Sequence, residues 1–155
     1  MNREAYMKHL FGILSSFREQ KILCDTTLVA GGTEMMAHSV VLAAASKVFR
    51  TALIDCQNVA NSTSSYRFEL IGLDSSSLEA ILVLIYNGEL DSRQSHRFDG
   101  DSLLNSCEQL GLDWFKPGLS EMTQRSFNIN THYIRVVINT NMYVILLHFF
   151  HIFIP

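Results

Sequence analysis

The stretch Cys24 to Leu53, CDTTLVAGGTEMMAHSVVLAAASKVFRTAL, decides how this chain folds. Thr26 to Ala30 is mostly β-branched or apolar and reads as a strand. Gly31-Gly32 supplies a tight turn, because glycine reaches positive φ without steric cost. A second short strand follows through Met35, Met36 and Ala37. His38 and Ser39 then open a run, Val40 to Ala45, that is apolar on every side. A helix with no polar face is expected to be buried over most of its surface. A hairpin therefore feeds directly into a central helix, with no room for a long loop.

The sequence on either side is read from the same periodicities. Residues 4–20 have the pattern of an amphipathic helix. Met7, Leu10, Phe11, Leu14 and Phe17 form its apolar stripe and Tyr6 and Ile13 widen it, while Arg3, Glu4, Lys8, Arg18 and Glu19 are left for the wet side. So broad an apolar face needs a partner, either another copy or the helix's own domain. Beyond Leu53, the polar loop Asn58 to Ser65 leads to a strand, Tyr66 to Ile71. Asp74 and the serines Ser75 to Ser77 offer an N-cap for a helix from Leu78 to Tyr86, which Asn87-Gly88 ends. Leu90 starts a linker through Asp91 to Asp99. Residues 101–110 form another helix, with Leu103, Leu104, Cys107 and Leu110 inward and Gly111 closing it. A last short helix is expected over Asp113 to Gln124, with Pro117 near its first turn.

Composition narrows the function classes. The chain has 155 residues, 48% hydrophobic and 17% charged, which is about one globular domain. A net charge of −3 with scattered basic residues gives no electrostatic case for nucleic acid. Cys24, Cys56 and Cys107 are odd in number and contain no C-x-x-C pair, which argues against zinc and against a disulfide framework. A reducing compartment, cytoplasmic or nuclear, is the simpler reading. Met7 to Leu14 is interrupted by Lys8 and His9 and is no signal peptide.

The chain changes character near Phe127. The body, residues 1–125, holds 11 of the 12 basic and all 15 acidic residues; the tail, 126–155, holds only Arg135. Asn139, Thr140, Asn141, His148 and His151 interrupt its apolar run, whereas a membrane span needs about 20 predominantly apolar residues. The tail therefore reads as a membrane tether, as an extra strand or helix packed on the body, or as the product of a retained intron or altered reading frame. Its Ile/Asn/Phe-rich composition and abrupt end favour the last. If exposed, Tyr143 to Phe150 is an aggregation-prone segment.

Few residues suggest chemistry. Cys24 and His38 are the tempting nucleophile and base, but no third orienting group or oxyanion site stands at a suggestive spacing. A buried structural cysteine and a histidine at a helix start is the favoured reading. Asp25, before a strand, reads as a satisfied structural acceptor. Gly31-Gly32 lacks the context of a phosphate loop, and Asp99 and Asp101 look like a helix start. No enzyme, cofactor or metal site is expected.

The quoted stretch resembles the core of a BTB/POZ domain, in which C-D-x-x-L-x-V, a turn and A-H-x-x-V-L-A-A-x-S-x-x-F-R recur. The matching residues are Cys24, Asp25, Leu28, Ala37, His38, Val41, Leu42, Ala43, Ala44, Ser46, Phe49 and Arg50. Glu79, Leu82, Ile85, Tyr86, Gly88 and Leu90 match the later pattern F-E-x-L-L-x-F-I-Y-T-G-x-L, and Leu103 to Leu112 looks like the family's L-L-x-A-A-x-x-L-x-L helix. The resemblance spans about residues 6–122. It implies an α+β fold, a helical cluster flanked by a small mixed three-stranded sheet, with Asp25 and His38 in structural roles.

The resemblance also implies association. The usual family assembly is a homodimer on the first helix, which here would use Met7, Leu10, Phe11, Leu14 and Phe17. A Kelch-like adaptor for a cullin ubiquitin ligase is the leading branch. Its cullin contact would fall on Phe49, Leu53, Val59 and Asn61, although Val59-Ala60-Asn61 has an amide where cullin binders often have Glu. The alternatives are a nuclear regulator that recruits corepressors, disfavoured by Ser39 where a basic residue often follows the His, and a membrane-tethered dimerisation module. With no Kelch repeat or zinc finger after residue 125, a truncated or stand-alone dimerisation module is expected, pairing with itself or with related BTB proteins.

Overall fold

The computed structural model describes residues 2–59, 65–88, 90, 100–112, 114, 133–138 and 143–147. In chain order these form α1 (Arg3–Glu19), β1 (Thr26–Ala30), β2 (Thr33–Ala37), α2 (Ser39–Ala45), α3 (Lys47–Val59), β3 (Tyr66–Ile71), α4 (Ser75–Asn87), α5 (Gly100–Gln109), β4 (Tyr133–Ile138) and β5 (Tyr143–Leu147). The expected helix over Asp113 to Gln124 and the linker Asp91 to Asp99 lie outside the described residues, apart from Trp114.

The hairpin is built as its sequence requires. Ala30 pairs with Thr33, so Gly31 and Gly32 are the whole loop, and both have positive φ, as a type I′ turn demands. A Cβ on Gly31 would also stand 3.2 Å from the Ser75 backbone nitrogen. β1 pairs antiparallel with β2 and parallel with β3, which makes the sheet mixed. Alternation places Thr26, Leu28 and Ala30 of β1 and Tyr66, Phe68 and Leu70 of β3 in the core.

The tail joins this sheet. β4 pairs antiparallel with β3, and β5 antiparallel with β4, giving the order β2-β1-β3-β4-β5. The three-stranded sheet of the body is thus extended by two strands of the tail. Arg135 stands opposite Glu69 in the register of the two strands.

The apolar run after the hairpin departs from its expectation. Only Val41 and Leu42 of α2 are buried, Ala44 is exposed and Val40 is 72% exposed. A seven-residue helix makes barely two turns, so it can bury one narrow side, and here the outward positions also hold apolar residues. The helical run then breaks at Ser46, whose extended backbone separates α2 from α3. The Ser46 hydroxyl accepts from Phe49 N–H at 3.0 Å and donates to the Leu110 carbonyl. It caps α3 and ties it to the end of α5. Arg50 donates to the carbonyls of Ala43 at 2.8 Å and Ala44 at 3.3 Å, satisfying the otherwise free end of α2.

α4 is the central helix. Ser77, Leu78, Ala80, Ile81, Leu82, Leu84, Ile85 and Tyr86 are all buried. Asp74 caps its N-terminus by accepting from Ser77 N–H at 2.8 Å, and Gly88 ends it in the left-handed conformation. Of the four cap candidates in the sequence the structure uses Asp74, with Ser75 to Ser77 forming the first turn, and Gly88 ends the helix as expected. α1 closes with a Schellman motif: Ile22 N–H reaches Phe17 O at 2.8 Å, and Lys21 N–H reaches Arg18 O at 3.0 Å. α5 closes the same way through Leu112 and Gly111. In α5 the left-handed residue is Gly111; in α1 it is Lys21, at φ 58°.

Candidate functional site

Two regions hold the residues singled out by sequence: a polar junction at the start of α2 and the outward face of α1. At the junction, Asp25 receives Ser39 N–H at 2.6 Å and the Ser39 hydroxyl at 2.5 Å, with Thr26 Oγ1 at 3.1 Å. Its carboxylate lies at the N-terminal end of a helix, where negative charge is favoured. His38 sits beside it, 5% exposed. Its Nε2 lies 2.9 Å from the Ile22 carbonyl, its Nδ1 2.6 Å from Tyr86 Oη, and its backbone N–H donates to the same oxygen at 3.0 Å. These partners fit one tautomer, with the proton on Nε2 and the Tyr86 hydroxyl donating to Nδ1. Burial pushes the Tyr86 hydroxyl up to about 12, so it stays a donor.

The Cys24–His38 pair does come together, at 3.7 Å between Sγ and Nε2. The chemistry does not follow. Nε2 carries its proton towards the Ile22 carbonyl, so it has no lone pair for the thiol. Burial holds the Cys24 thiol above its ordinary value, against the lowering effect of Arg18. A nucleophilic cysteine needs the opposite shift. Cys56 and Cys107 are buried and pushed up to about 11 and about 12, chiefly by burial. Among the described residues no group of three metal-ligating side chains occurs. What remains is a polar knot that locks β1, α2, α4 and the end of α1 together.

Arg18 corrects the expectation that it faces water. Its guanidinium lies 5.4 Å from the centre of the Tyr86 ring, and its Nε is buried without a hydrogen-bond partner among the described residues. The cation rests on the ring face and carries α1 onto α4. Sequence periodicity misses this because stacking, not hydropathy, places the residue.

The outward face of α1 is the second region. No residue of α1 is fully buried. Phe11, Leu14 and Phe17 are half-buried, with Leu14 against the core. Tyr6, Met7, Leu10 and Ile13 are 49%, 41%, 37% and 40% exposed. The single stripe read from sequence is therefore two adjoining strips. One, through Leu14 and Arg18, packs on the body. The other, Tyr6-Leu10-Ile13 with Met7 at its margin, faces outward. The turn after the helix adds Ile22 and Leu23, 39% and 78% exposed.

The residues proposed for cullin contact divide differently. Phe49 and Leu53 are 0% and 5% exposed and belong to the core. Val59 ends α3, and Asn61 lies outside the described residues. The outward side of α3 instead presents Arg50, Thr51, Ile54, Gln57 and Asn58, with Ile54 50% exposed.

The sequence profile of the BTB/POZ domain matches residues 14–124, most of the chain. The chain belongs to the BTB/POZ domain family. Among curated relatives, human gigaxonin is 37% identical over 81 residues, covering 52% of this chain and 13% of that protein. Human Kelch-like protein 2 is 31% identical over 85 residues, covering 55% of this chain and 14% of that protein. The chain thus matches about one-seventh of the length of these relatives. The solved BTB (Tramtrack and Bric a brac) domain of human gigaxonin superposes with a TM-score of 0.62 at 28% identity, over 79% of this chain and 95% of that domain. The BTB domain of zebrafish PATZ1 superposes with the same TM-score at 18% identity, a likeness of fold. The gigaxonin and Kelch-like relatives support the Kelch-like branch for this BTB/POZ chain and its reading as a protein-interaction module. No helix among the described residues is long and apolar enough to cross a membrane.

Proposed function

We propose that this chain homodimerises through the outward strip of α1 and acts as an adaptor module for a cullin-type ubiquitin ligase. The observation that carries the dimer reading is the strip itself. Tyr6, Met7, Leu10 and Ile13 keep 37–49% of their surface on a helix with no fully buried residue. Covering four such side chains on each of two copies is worth on the order of 10 kcal/mol, at about 25 cal/mol per Å² of apolar area. Association costs about 4–15 kcal/mol in lost freedom. The strip alone is near break-even, so the exposed Ile22 and Leu23 beside it belong to the same contact. A two-fold arrangement presents this patch twice, and a dimer holding two attached modules gains avidity.

The Kelch-like relatives support the adaptor reading. In it, the cullin meets the outward side of α3 around Ile54, with Phe49 and Leu53 as the packed backing that holds the helix in place. Ser39, whose hydroxyl donates to Asp25 at 2.5 Å, adds no positive charge at this place and so weakens the corepressor alternative.

Two measurements test the reading. Sedimentation velocity on the full chain compares the native sequence with L10E/I13E, which is expected to lose the α1 contact. A pull-down with a cullin N-terminal domain is expected to capture the native chain and to fail with Ile54→Glu. No capture of the native chain overturns the adaptor half and leaves the dimer half standing.

A further inference from the structure

We propose that β5 is a second association edge, which pairs antiparallel with β5 of another copy of this chain and continues the sheet across a two-fold axis. This inference does not rest on the α1 dimer. It starts from the strand order β2-β1-β3-β4-β5, in which β5 is the outermost strand among the described residues. An outer strand presents a row of backbone donors and acceptors, and natural edges are blunted with charge, proline or a bulge. The opposite edge follows that rule, since β2 carries Glu34. β5 does not: its sequence is Tyr-Val-Ile-Leu-Leu, without charge, proline or glycine.

The charge pattern of the tail points the same way. Its one charged residue, Arg135, stands on β4 opposite Glu69 of β3. The tail's one charge thus falls on β4, in register with Glu69 of β3, and β5 is charge-free. A second β5 is the occupant that this edge fits. Aligned antiparallel about Ile145, Tyr143 meets Leu147 and Val144 meets Leu146, so every position has an apolar counterpart of the types favoured in cross-strand pairs. Antiparallel self-pairing is isologous and closes on two copies. Combined with a separate interface on α1, it would link dimers into larger species.

The test uses charge complementation in the full chain. Val144 and Leu146 share a face by strand alternation, and in the proposed pairing each 144 stands opposite the other copy's 146. V144E/L146E and V144K/L146K should each abolish the β5 contact, weakening it at least tenfold, while an equimolar mixture of the two should restore it. The L10E/I13E chain, with β5 native, should still self-associate. Sedimentation velocity over a concentration series reads all five samples, the native chain included, with circular dichroism to show that the body is folded. A native chain indistinguishable from the charged variants, or a mixture no larger than its parts, overturns the proposal. If the charged variants unfold, single cysteines in a Cys24→Ser background decide it. Ile145→Cys should cross-link between copies and Tyr143→Cys should not; equal cross-linking at both would mean a parallel stack and overturn the antiparallel pairing.

Discussion

His38 Nδ1 and Tyr86 Oη lie 2.6 Å apart, joining the start of α2 to the last turn of α4 across 48 residues of sequence. The same phenol accepts the His38 backbone N–H, and its ring carries the Arg18 guanidinium. One hydroxyl therefore satisfies two buried groups, and one ring holds the helix proposed to form the dimer. Tyr86→Phe keeps the ring and removes the hydroxyl. It should cost about 1–3 kcal/mol, the penalty for leaving buried polar groups unpaired. Urea unfolding of the two proteins measures it, and an unchanged midpoint would mean that the knot is replaced by water at no cost.

Ser46→Ala removes both the cap of α3 and the link to Leu110. Loss of an N-cap costs about 0.5–2 kcal/mol, and the orphaned Leu110 carbonyl adds to it. The expected result is a lower melting temperature, with the larger share of the loss absent in Ser46→Thr, which keeps the hydroxyl.

Lys21 holds a left-handed backbone at φ 58° where glycine is the usual closing residue. For a residue with a Cβ that conformation costs roughly 1–2 kcal/mol. Lys21→Gly should therefore stabilise the chain by up to about 1 kcal/mol once the extra entropy of the unfolded glycine is counted. Thermal unfolding checks the sign; a destabilised Lys21→Gly would contradict the reading of this turn.

Asp74 predicts a pH dependence. Burial would raise its carboxyl, but hydrogen bonds from the side chains and backbones of Ser76 and Ser77 outweigh this and hold it at about 2. The unfolded value is about 3.9. A folded value below the unfolded one gives stability that is complete above about pH 4 and lost as pH falls towards 2. Asp74→Asn keeps a capping oxygen and does not titrate. Its stability should fall less between pH 4 and 2 than that of the native chain; parallel curves would contradict the assignment.

The parts of the fold that rest on local chemistry are readable in the sequence. Gly31-Gly32 names its turn, Asp74 with its serines and Gly88 bracket α4, and β-branched or alternating residues mark β1 and β3 as strands. The break at Ser46 is hidden because its partner, Leu110, lies 64 residues away. The end of α1 is readable to within a residue, but its left-handed closure at Lys21 is hidden because a lysine fills a glycine position. Hydropathy marks α1 as broadly apolar, but the division into an inward strip with Arg18 and an outward strip with Tyr6, Leu10 and Ile13 depends on where α4 places the Tyr86 ring. In the tail only Tyr143 to Phe150 reads as aggregation-prone, while the strand Tyr133–Ile138 and its pairing with β3 are a long-range choice.

The central claim, association through α1, is tested most directly in the β5-blocked background. V144E/L146E with a native α1 should sediment as a dimer, and adding Leu10→Glu and Ile13→Glu should give a folded monomer. A V144E/L146E chain that is already monomeric at every concentration, or one that stays dimeric after both α1 changes, would contradict the account.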